Sequence, residues 1–112
     1  MRLFLYGTLL EPARLARCVG RTVRLVPARL RGWRRVAMKG GRYPTLVRAR
    51  GGVAGAVAVV DAAGLRRLMA YEGPLYDLRR LAVRAGRGNS VAGVWIARAA
   101  ARREWGGKHV LF

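Results

Sequence analysis

Short apolar runs, separated by glycine, proline and charged residues, divide the sequence into strand and helix segments. Residues Arg2–Leu5 predict a first strand, because this run is short, apolar and followed by a glycine turn. Pro12 suits the first position of a helix, with Leu15 and Val19 on one face. Gly20 is typical of a helix end. The chain is therefore predicted to begin with a strand, a loop and a helix.

The middle of the chain predicts further strands in hairpin-like succession. These strands cover Val23–Leu30, Trp33–Met38, Tyr43–Val47 and Val53–Val60, the third beginning as a turn. Pro27 has no backbone N–H to donate, so it indicates an edge or a bulge in the first of them. Arg50–Gly52 is a hairpin signal. The strand after it is apolar on both faces, which predicts a central place in a sheet.

A second helix is predicted to begin after Asp61, which is a good N-cap, and to stop at Gly73. Its apolar stripe consists of Leu65, Leu68 and Met69, which recur at helical spacing. We expect this stripe to pack against the sheet.

The last part of the chain predicts a hairpin of Arg80–Ala85 and Val91–Ala97, joined by a turn at Gly86–Asn89. The tail from Arg98 to Phe112 has no clear pattern. A length of 112 residues predicts one domain over residues 1–112. Strands outnumber helices roughly three to one. The fold class is mixed, α/β or α+β, with a curled or closed barrel-like sheet and two short outer helices. The residues expected to be buried in the sheet are Val57, Val59, Leu81, Val83, Val94 and Ile96.

The charge is strongly unbalanced, with 23 basic and 5 acidic residues and a net charge of +18. This balance is typical of proteins that bind nucleic acid or anionic membranes. The arginines, however, are dispersed, and no RNA-binding aromatic motif, zinc-finger spacing or basic zipper accompanies them. Their pairs are Arg34-Arg35, Arg66-Arg67, Arg79-Arg80 and Arg102-Arg103. We expect these pairs to be exposed and to bind nucleic acid non-specifically at low salt.

The sequence favours a cytoplasmic protein without a membrane partner. Cys18 is the only cysteine, so no disulfide can form within the chain. The apolar run at Leu3–Leu5 is too short for a signal peptide, and no stretch approaches the ~20 apolar residues of a membrane helix.

Few side chains offer covalent or metal chemistry. Histidine and cysteine each occur once, as His109 and Cys18, which excludes a metal cluster built from them. A Cys18–His109 nucleophile pair stays open, although the apolar neighbours of Cys18 favour an inert thiol. Phosphate-binding and dinucleotide-binding glycine motifs do not occur. The remaining candidates are the carboxylates Glu11, Asp61, Glu72, Asp77 and Glu104.

Glu72 differs from the other acids in its position. It follows the apolar stripe of the second helix and directly precedes Gly73 and Pro74, which end that helix. A carboxylate there could project into a cleft with a raised pKa, although an exposed turn acid fits the pattern too. Tyr6–Leu9 is the second candidate. A strand that ends in a glycine turn ahead of a helix can present backbone N–H groups to an anion. An ordinary strand-to-helix turn explains the same residues.

Three motifs together resemble the gamma-glutamylcyclotransferase-like family, which includes the gamma-glutamylamine cyclotransferases and the plant avirulence-induced-gene proteins. Leu3–Leu9 is similar to its opening Tyr-Gly-Thr/Ser-Leu strand and loop. Arg42–Val47 resembles its Tyr-Pro-Gly-Leu-Val segment. Leu68–Gly73, followed by Tyr76 and Val83, is similar to its block Leu-Asp-x-Phe/Tyr-Glu-Gly…Tyr…Val. The motifs occur in family order over most of the chain.

The resemblance implies a small mixed β-barrel with helices outside. It also implies cofactor-independent cyclisation of a γ-glutamyl amine or amide to 5-oxoproline, with release of the amine. Glu72 would be the general acid and base. The substrate-binding residues implied are Tyr6, Gly7, Thr8, Leu9 and Tyr76, the first four holding the glutamyl group through backbone groups.

Three positions depart from the family pattern. Thr45 stands where glycine is usual, and Met69 where aspartate is common. Leu78 stands where an arginine often follows the tyrosine. These departures bear on substrate and rate more than on fold. The alternative function is a catalytically silent family member that binds a small molecule or a protein. A basic nucleic-acid-associated protein is a third and less favoured function.

Overall fold

Five strands and two helices form the part of the chain that the computed structural model describes, residues 1–37 and 44–98. The strands are β1 (Arg2–Leu5), β2 (Val26–Ala37), β3 (Pro44–Val59), β4 (Tyr76–Ala85) and β5 (Gly88–Ala97). The helices are α1 (Pro12–Val19) and α2 (Ala62–Glu72), and a 3₁₀ turn covers Thr8–Leu10. The fold is therefore the mixed one that the sequence predicted.

The strands close into a barrel in the order β1-β3-β2-β4-β5. β1 lies antiparallel to β3 and parallel to β5, and β4 and β5 form the predicted hairpin around a turn at Gly86 and Arg87. β2 closes the circle against β4 through Ala28 and Arg29. The predicted barrel-like sheet is confirmed.

The pairing places the strand ends at two rims of the barrel. One rim carries the end of β1 at Leu5, the starts of β3 and β4 at Pro44 and Tyr76, and the end of β5 at Ala97. We call this rim the upper end. The opposite rim, which carries Arg2 and the β4–β5 turn, is the lower end.

β2 and β3 form one long hairpin, whereas the sequence predicted four shorter strands. The hairpin turn predicted at Arg50–Gly52 is wrong, because these residues lie within β3 at a bulge opposite Gly32. The pairs that flank the bulge are Arg31–Gly52 and Trp33–Arg48. Gly32 and Gly51 have φ of 86° and 108°, values that glycine adopts without strain. The glycines therefore bend the ladder without ending it.

Two apolar clusters hold the barrel and its helices together. The inner cluster fills the barrel and includes Phe4, Val57 and Val94. The outer cluster packs α1 and α2 on the outside of the barrel, and Leu3 and Leu5 contribute to it. Because side chains alternate along a strand, β1 must be apolar on both faces to serve both clusters.

Burial follows the prediction at most of the positions named for the sheet. Val57, Val83, Val94 and Ile96 are buried, and Leu81 is half-buried against the inner cluster. Val59 contradicts the prediction, with 60% of its surface exposed, because it lies where the barrel opens at the lower end. The arginines of the described pairs are exposed: Arg34, Arg35, Arg66, Arg67, Arg79 and Arg80.

The helices begin and end as the local sequence dictates. Pro12 opens α1, and Gly20 ends it in a left-handed conformation. The Asp61 carboxylate caps α2 by accepting a hydrogen bond from the Gly64 N–H at 2.8 Å. Leu68 of the predicted stripe is buried. The prediction for Met69 is wrong, because half of its surface is exposed.

Some predictions lie outside the described residues: Met38 and Tyr43, the Arg102-Arg103 pair, Glu104, His109 and most of the tail. Within the described residues, no helix is both long and apolar enough to cross a membrane.

Candidate functional site

Glu72 is the last residue of α2 and lies at the upper end of the barrel. Gly73 stops the helix with a φ of 83°, and its N–H closes the last turn on the Met69 carbonyl at 3.1 Å. The chain then turns directly into β4 at Tyr76. This abrupt reversal holds the Glu72 side chain, which is half-buried, beside the strand ends.

A cavity at the upper end brings together every site residue that the resemblance implied. Its lining residues are Phe4, Leu5, Tyr6, Gly7, Thr8, Leu9, Pro44, Tyr71, Glu72, Tyr76 and Trp95. The structure thus places Glu72 in one concave surface with the Tyr6–Leu9 segment and Tyr76, although these residues are up to 70 positions apart in the sequence. Their individual roles remain a prediction.

The Tyr6–Leu9 segment connects β1 to α1 through a 3₁₀ turn that the sequence did not predict. Hydrogen bonds from the Leu10 and Glu11 N–H groups to the Gly7 and Thr8 carbonyls close this turn. Gly7 lies against the start of β3. A Cβ atom at this position would be 3.3 Å from the Pro44 Cγ. Gly7 therefore allows the segment to approach Pro44 closely at the cavity wall.

Three tyrosines are fixed around the cavity by hydrogen bonds. The Tyr6 hydroxyl donates to the Trp95 carbonyl, and the Tyr76 hydroxyl donates to the Pro44 carbonyl at 2.9 Å. The Tyr71 hydroxyl lies 3.1 Å from the Thr8 Oγ1 and so connects α2 to the 3₁₀ turn. These contacts give the cavity walls a defined shape.

Thr45 supports the cavity from behind. It is fully buried, and its Oγ1 accepts a hydrogen bond from the Ala97 N–H at 2.8 Å, which ties β3 to β5. Thr45 also hydrogen-bonds the Tyr6 side chain. The threonine that departs from the family pattern therefore has satisfied polar groups and a structural partner on each side.

Burial raises the pKa of Glu72 to about 7. The physical cause is desolvation, since the surroundings penalise the charged carboxylate. Burial also raises the pKa of Tyr6, and the nearby Tyr76 and Glu72 raise it further. Tyr6 is consequently a neutral phenol at physiological pH, while Glu72 has comparable amounts of its two protonation states near pH 7.

Met69 and Leu78, the other two departures, lie away from the cavity lining. Met69 is exposed on α2, and Leu78 packs with the outer cluster. Burial alone accounts for the shift of Glu72. The raised pKa therefore needs no second acid at position 69.

Cys18 does not line the cavity. Its Sγ lies 3.9 Å from the Arg67 carbonyl, and burial raises the pKa of its thiol. A thiol with a raised pKa is a poor nucleophile at neutral pH. The inert interpretation of Cys18 is thus favoured over the nucleophile pair.

Sequence reasoning missed several residues of the cavity, among them Tyr71, Pro44 and Trp95. Tyr71 and Pro44 lie inside the quoted motifs, so their motif positions were the available signal. Trp95 had no such signal, since it reads as an ordinary residue of an apolar strand. Its carbonyl reaches the site only through the β1–β5 pairing.

The family described as gamma-glutamyl cyclotransferase, AIG2-like, matches residues 3–109 of this chain. No curated protein matches this chain. Among solved structures, an Arabidopsis thaliana protein is similar at 32% identity and a TM-score of 0.78, over 86% of this chain and 61% of that one. This chain thus spans about three-fifths of that relative's length.

Two further structures share the fold at lower identity. One, named gamma-glutamyl cyclotransferase, is 18% identical, with a TM-score of 0.76 over 87% of this chain and 66% of that one. The other, an AIG2-like protein from Mus musculus, is 19% identical, with a TM-score of 0.73 over 99% of this chain and 84% of that one.

Proposed function

The chain belongs to the gamma-glutamyl cyclotransferase, AIG2-like family, and we propose on this premise that it is a cyclotransferase acting on a small γ-glutamyl compound. It converts a γ-glutamyl amine or amide to 5-oxoproline and releases the amine, without a cofactor, in the cytoplasm. Glu72 is the group that moves the proton.

The proposed reaction is intramolecular. The α-amino nitrogen of the glutamyl group attacks its own γ-carbonyl carbon, so that a ring C–N bond forms. The C–N bond to the leaving amine then breaks. The Glu72 carboxylate accepts the proton that the attacking nitrogen loses and donates it to the leaving nitrogen. Because nucleophile and electrophile are tethered, the protein has mainly to orient them.

The observation that carries the proposal is the position of Glu72, a half-buried acid that lines the upper cavity with the Tyr6–Leu9 segment. A group that must first accept and then donate a proton works best with a pKa near the working pH. Burial raises the pKa of Glu72 to about 7. The other described acids, Glu11, Asp61 and Asp77, are exposed.

The substrate would lie between Glu72 and the Tyr6–Leu9 segment. Backbone groups of that segment are proposed to hold the glutamyl group, and Tyr76 to line its path. The tyrosines that line the cavity would limit the access of water to a bound substrate, which strengthens hydrogen bonds made to the developing charge. The arginine-rich surface would speed capture of an anionic substrate at low ionic strength.

Replacement of one side chain tests the proposal. Glu72→Gln keeps the shape of the side chain but cannot accept a proton, so turnover should fall on the order of 10²–10⁴-fold. The assay follows 5-oxoproline release from a panel of γ-glutamyl amines and amides. Glu11→Gln is the matched control, because Glu11 is an exposed acid in the turn before α1. Equal rates for Glu72→Gln and the unmodified protein would remove Glu72 from the mechanism.

The same assay separates the enzyme from the silent binding module. If the unmodified protein binds a γ-glutamyl compound in calorimetry but releases no 5-oxoproline from any member of the panel, the binding module is the correct function. Turnover that Glu72→Gln abolishes, with binding retained, supports the cyclotransferase.

A further inference from the structure

A second cavity opens at the lower end of the barrel, on the side away from Glu72. We call it the lower mouth. Its lining residues are Arg2, Arg24, Val26, Val57, Val59, Ala85, Gly88, Asn89 and Ser90. None of them belongs to the site described above, so the lower mouth is a separate concave surface.

The strand register shows why valines are exposed there. Phe4 pairs with Val57, and both belong to the cluster inside the barrel. Two residues nearer the lower end on each strand, Arg2 pairs with Val59. Side chains two apart in a strand share a face, so Arg2 and Val59 continue the barrel interior. In the part of the chain that the structure describes, no side chain fills this last layer, and 60% of the Val59 surface is exposed.

The other strands continue the same layer. Val26 pairs with Val57 and lines the mouth with 36% of its surface exposed. Ser90 pairs with Val83, which is buried inside the barrel. The mouth therefore has an apolar wall of valines with a hydroxyl-bearing side chain on the opposite hairpin.

The charge of the lower mouth has one sign. Arg2 and Arg24 line it, and no carboxylate is among its described lining residues. A guanidinium presents two parallel N–H donors that match a carboxylate, sulfonate or phosphate group. The valines beside it can bury an apolar chain. We propose that the lower mouth binds a small amphipathic anion, an acidic head group on an apolar chain.

Two other occupants fit less well. A second copy of the chain seated on this surface would bring its own Arg2 and Arg24 against the first pair, which like-charge repulsion opposes. A nucleic-acid strand binds such grooves largely by stacking bases on aromatic rings. Among the lining residues that the structure describes, none is aromatic. The floor at Val57, which is buried, suits the end of an aliphatic chain.

Octanoate is a suitable probe, since it combines a carboxylate with an aliphatic chain. Heteronuclear NMR of the labelled full chain should show saturable shifts at the amides of Val57, Val59, Asn89 and Ser90. The amides of Gly7 and Glu72 should not move. Octanol, which lacks the charge, and acetate, which lacks the chain, should each bind at least roughly tenfold more weakly.

Paired variants test the residues. Arg2→Gln with Arg24→Gln should weaken octanoate binding by roughly tenfold or more, because charge-assisted hydrogen bonds are lost. Arg66→Gln with Arg80→Gln removes the same charge from exposed positions outside the mouth and should leave binding unchanged. Val59→Asp, at an already exposed position, should also abolish binding, because the added negative charge repels the octanoate carboxylate.

Several results would overturn the proposal. They are equal weakening by both arginine pairs, equal binding of octanol and octanoate, shifts centred on the upper cavity, and displacement of octanoate by a short RNA that binds the same residues. Concentration-dependent dimerisation through the mouth would do the same. None of these results depends on whether Glu72 is catalytic, so the two proposals fail separately.

Discussion

The two ends of the barrel place ionisable side chains in different environments. At the upper end, one carboxyl group lies among tyrosines and backbone groups in a narrow cavity of about 50 Å³. At the lower end, two arginines and several valines line a wider cavity of about 530 Å³. One end partly removes a carboxyl group from water, and the other leaves its arginines exposed to water.

The difference shows that net charge does not control the local chemistry of this protein. The chain carries a formal charge of +18, which on its own would favour an ionised Glu72. Burial nevertheless raises the pKa of that residue to about 7. Exposed arginines act through a screened, high-dielectric path, whereas desolvation acts directly on the carboxyl group.

The strongest test of this contrast is the pH dependence of turnover. A carboxyl group with a pKa of about 7 is protonated at lower pH and cannot accept the first proton. The value of kcat/KM should therefore rise with pH and level off above about pH 8, and should be about 50-fold lower at pH 5 than at pH 7. Stopped assays of 5-oxoproline in buffers of constant ionic strength measure this. A fall in kcat/KM centred near pH 4 would mean that the surrounding arginines, and not burial, set the pKa of Glu72.

Matched glycine substitutions compare the space available at the two ends. Gly7→Val at the upper end should weaken binding of a γ-glutamyl compound about 10- to 100-fold, because a Cβ there already lies 3.3 Å from the Pro44 Cγ. Gly88→Val at the lower end should not affect it, since a Cβ at Gly88 meets nothing nearer than 3.9 Å. Calorimetry measures both affinities, and circular dichroism checks the fold. Normal binding by a folded Gly7→Val variant would contradict the role of Tyr6–Leu9.

Polar side chains at the two ends should differ in their contribution to stability. Thr45→Val keeps the volume of a fully buried side chain but leaves the Ala97 N–H without its acceptor. The free energy of unfolding should fall by about 1–3 kcal/mol. Ser90→Ala in the open mouth should change it by less than about 0.5 kcal/mol, because water can replace the hydroxyl. Urea unfolding measures both values, and equal losses would show that the lower mouth is as tightly built as the upper end.

Local patterns were sufficient for much of the fold. Asp61 and Gly73 set the bounds of α2, because capping depends on residues within one helical turn. The apolar residues on both faces of Val53–Val60 indicated a central strand, and this part of β3 pairs with both β1 and β2. The family resemblance of the motifs was enough to predict that Tyr6–Leu9, Glu72 and Tyr76 share one site.

Other features depended on contacts between distant segments. Arg50–Gly52 was predicted to be a hairpin turn, but pairing with β2 carries β3 through these residues at a bulge. Val59 and Met69 fit apolar patterns, yet both are exposed, since a pattern indicates a face and not whether another element covers it.

The sequence by itself thus determined the helix ends and the order of the main elements, since these follow from neighbours along the chain, and its motifs singled out Glu72 through their resemblance to the family. Only the tertiary structure decided the pKa of Glu72, the support that Thr45 gives to Tyr6, and the opening of the lower mouth. Desolvation, buried hydrogen bonds and the filling of a barrel all depend on groups that closure of the sheet brings together.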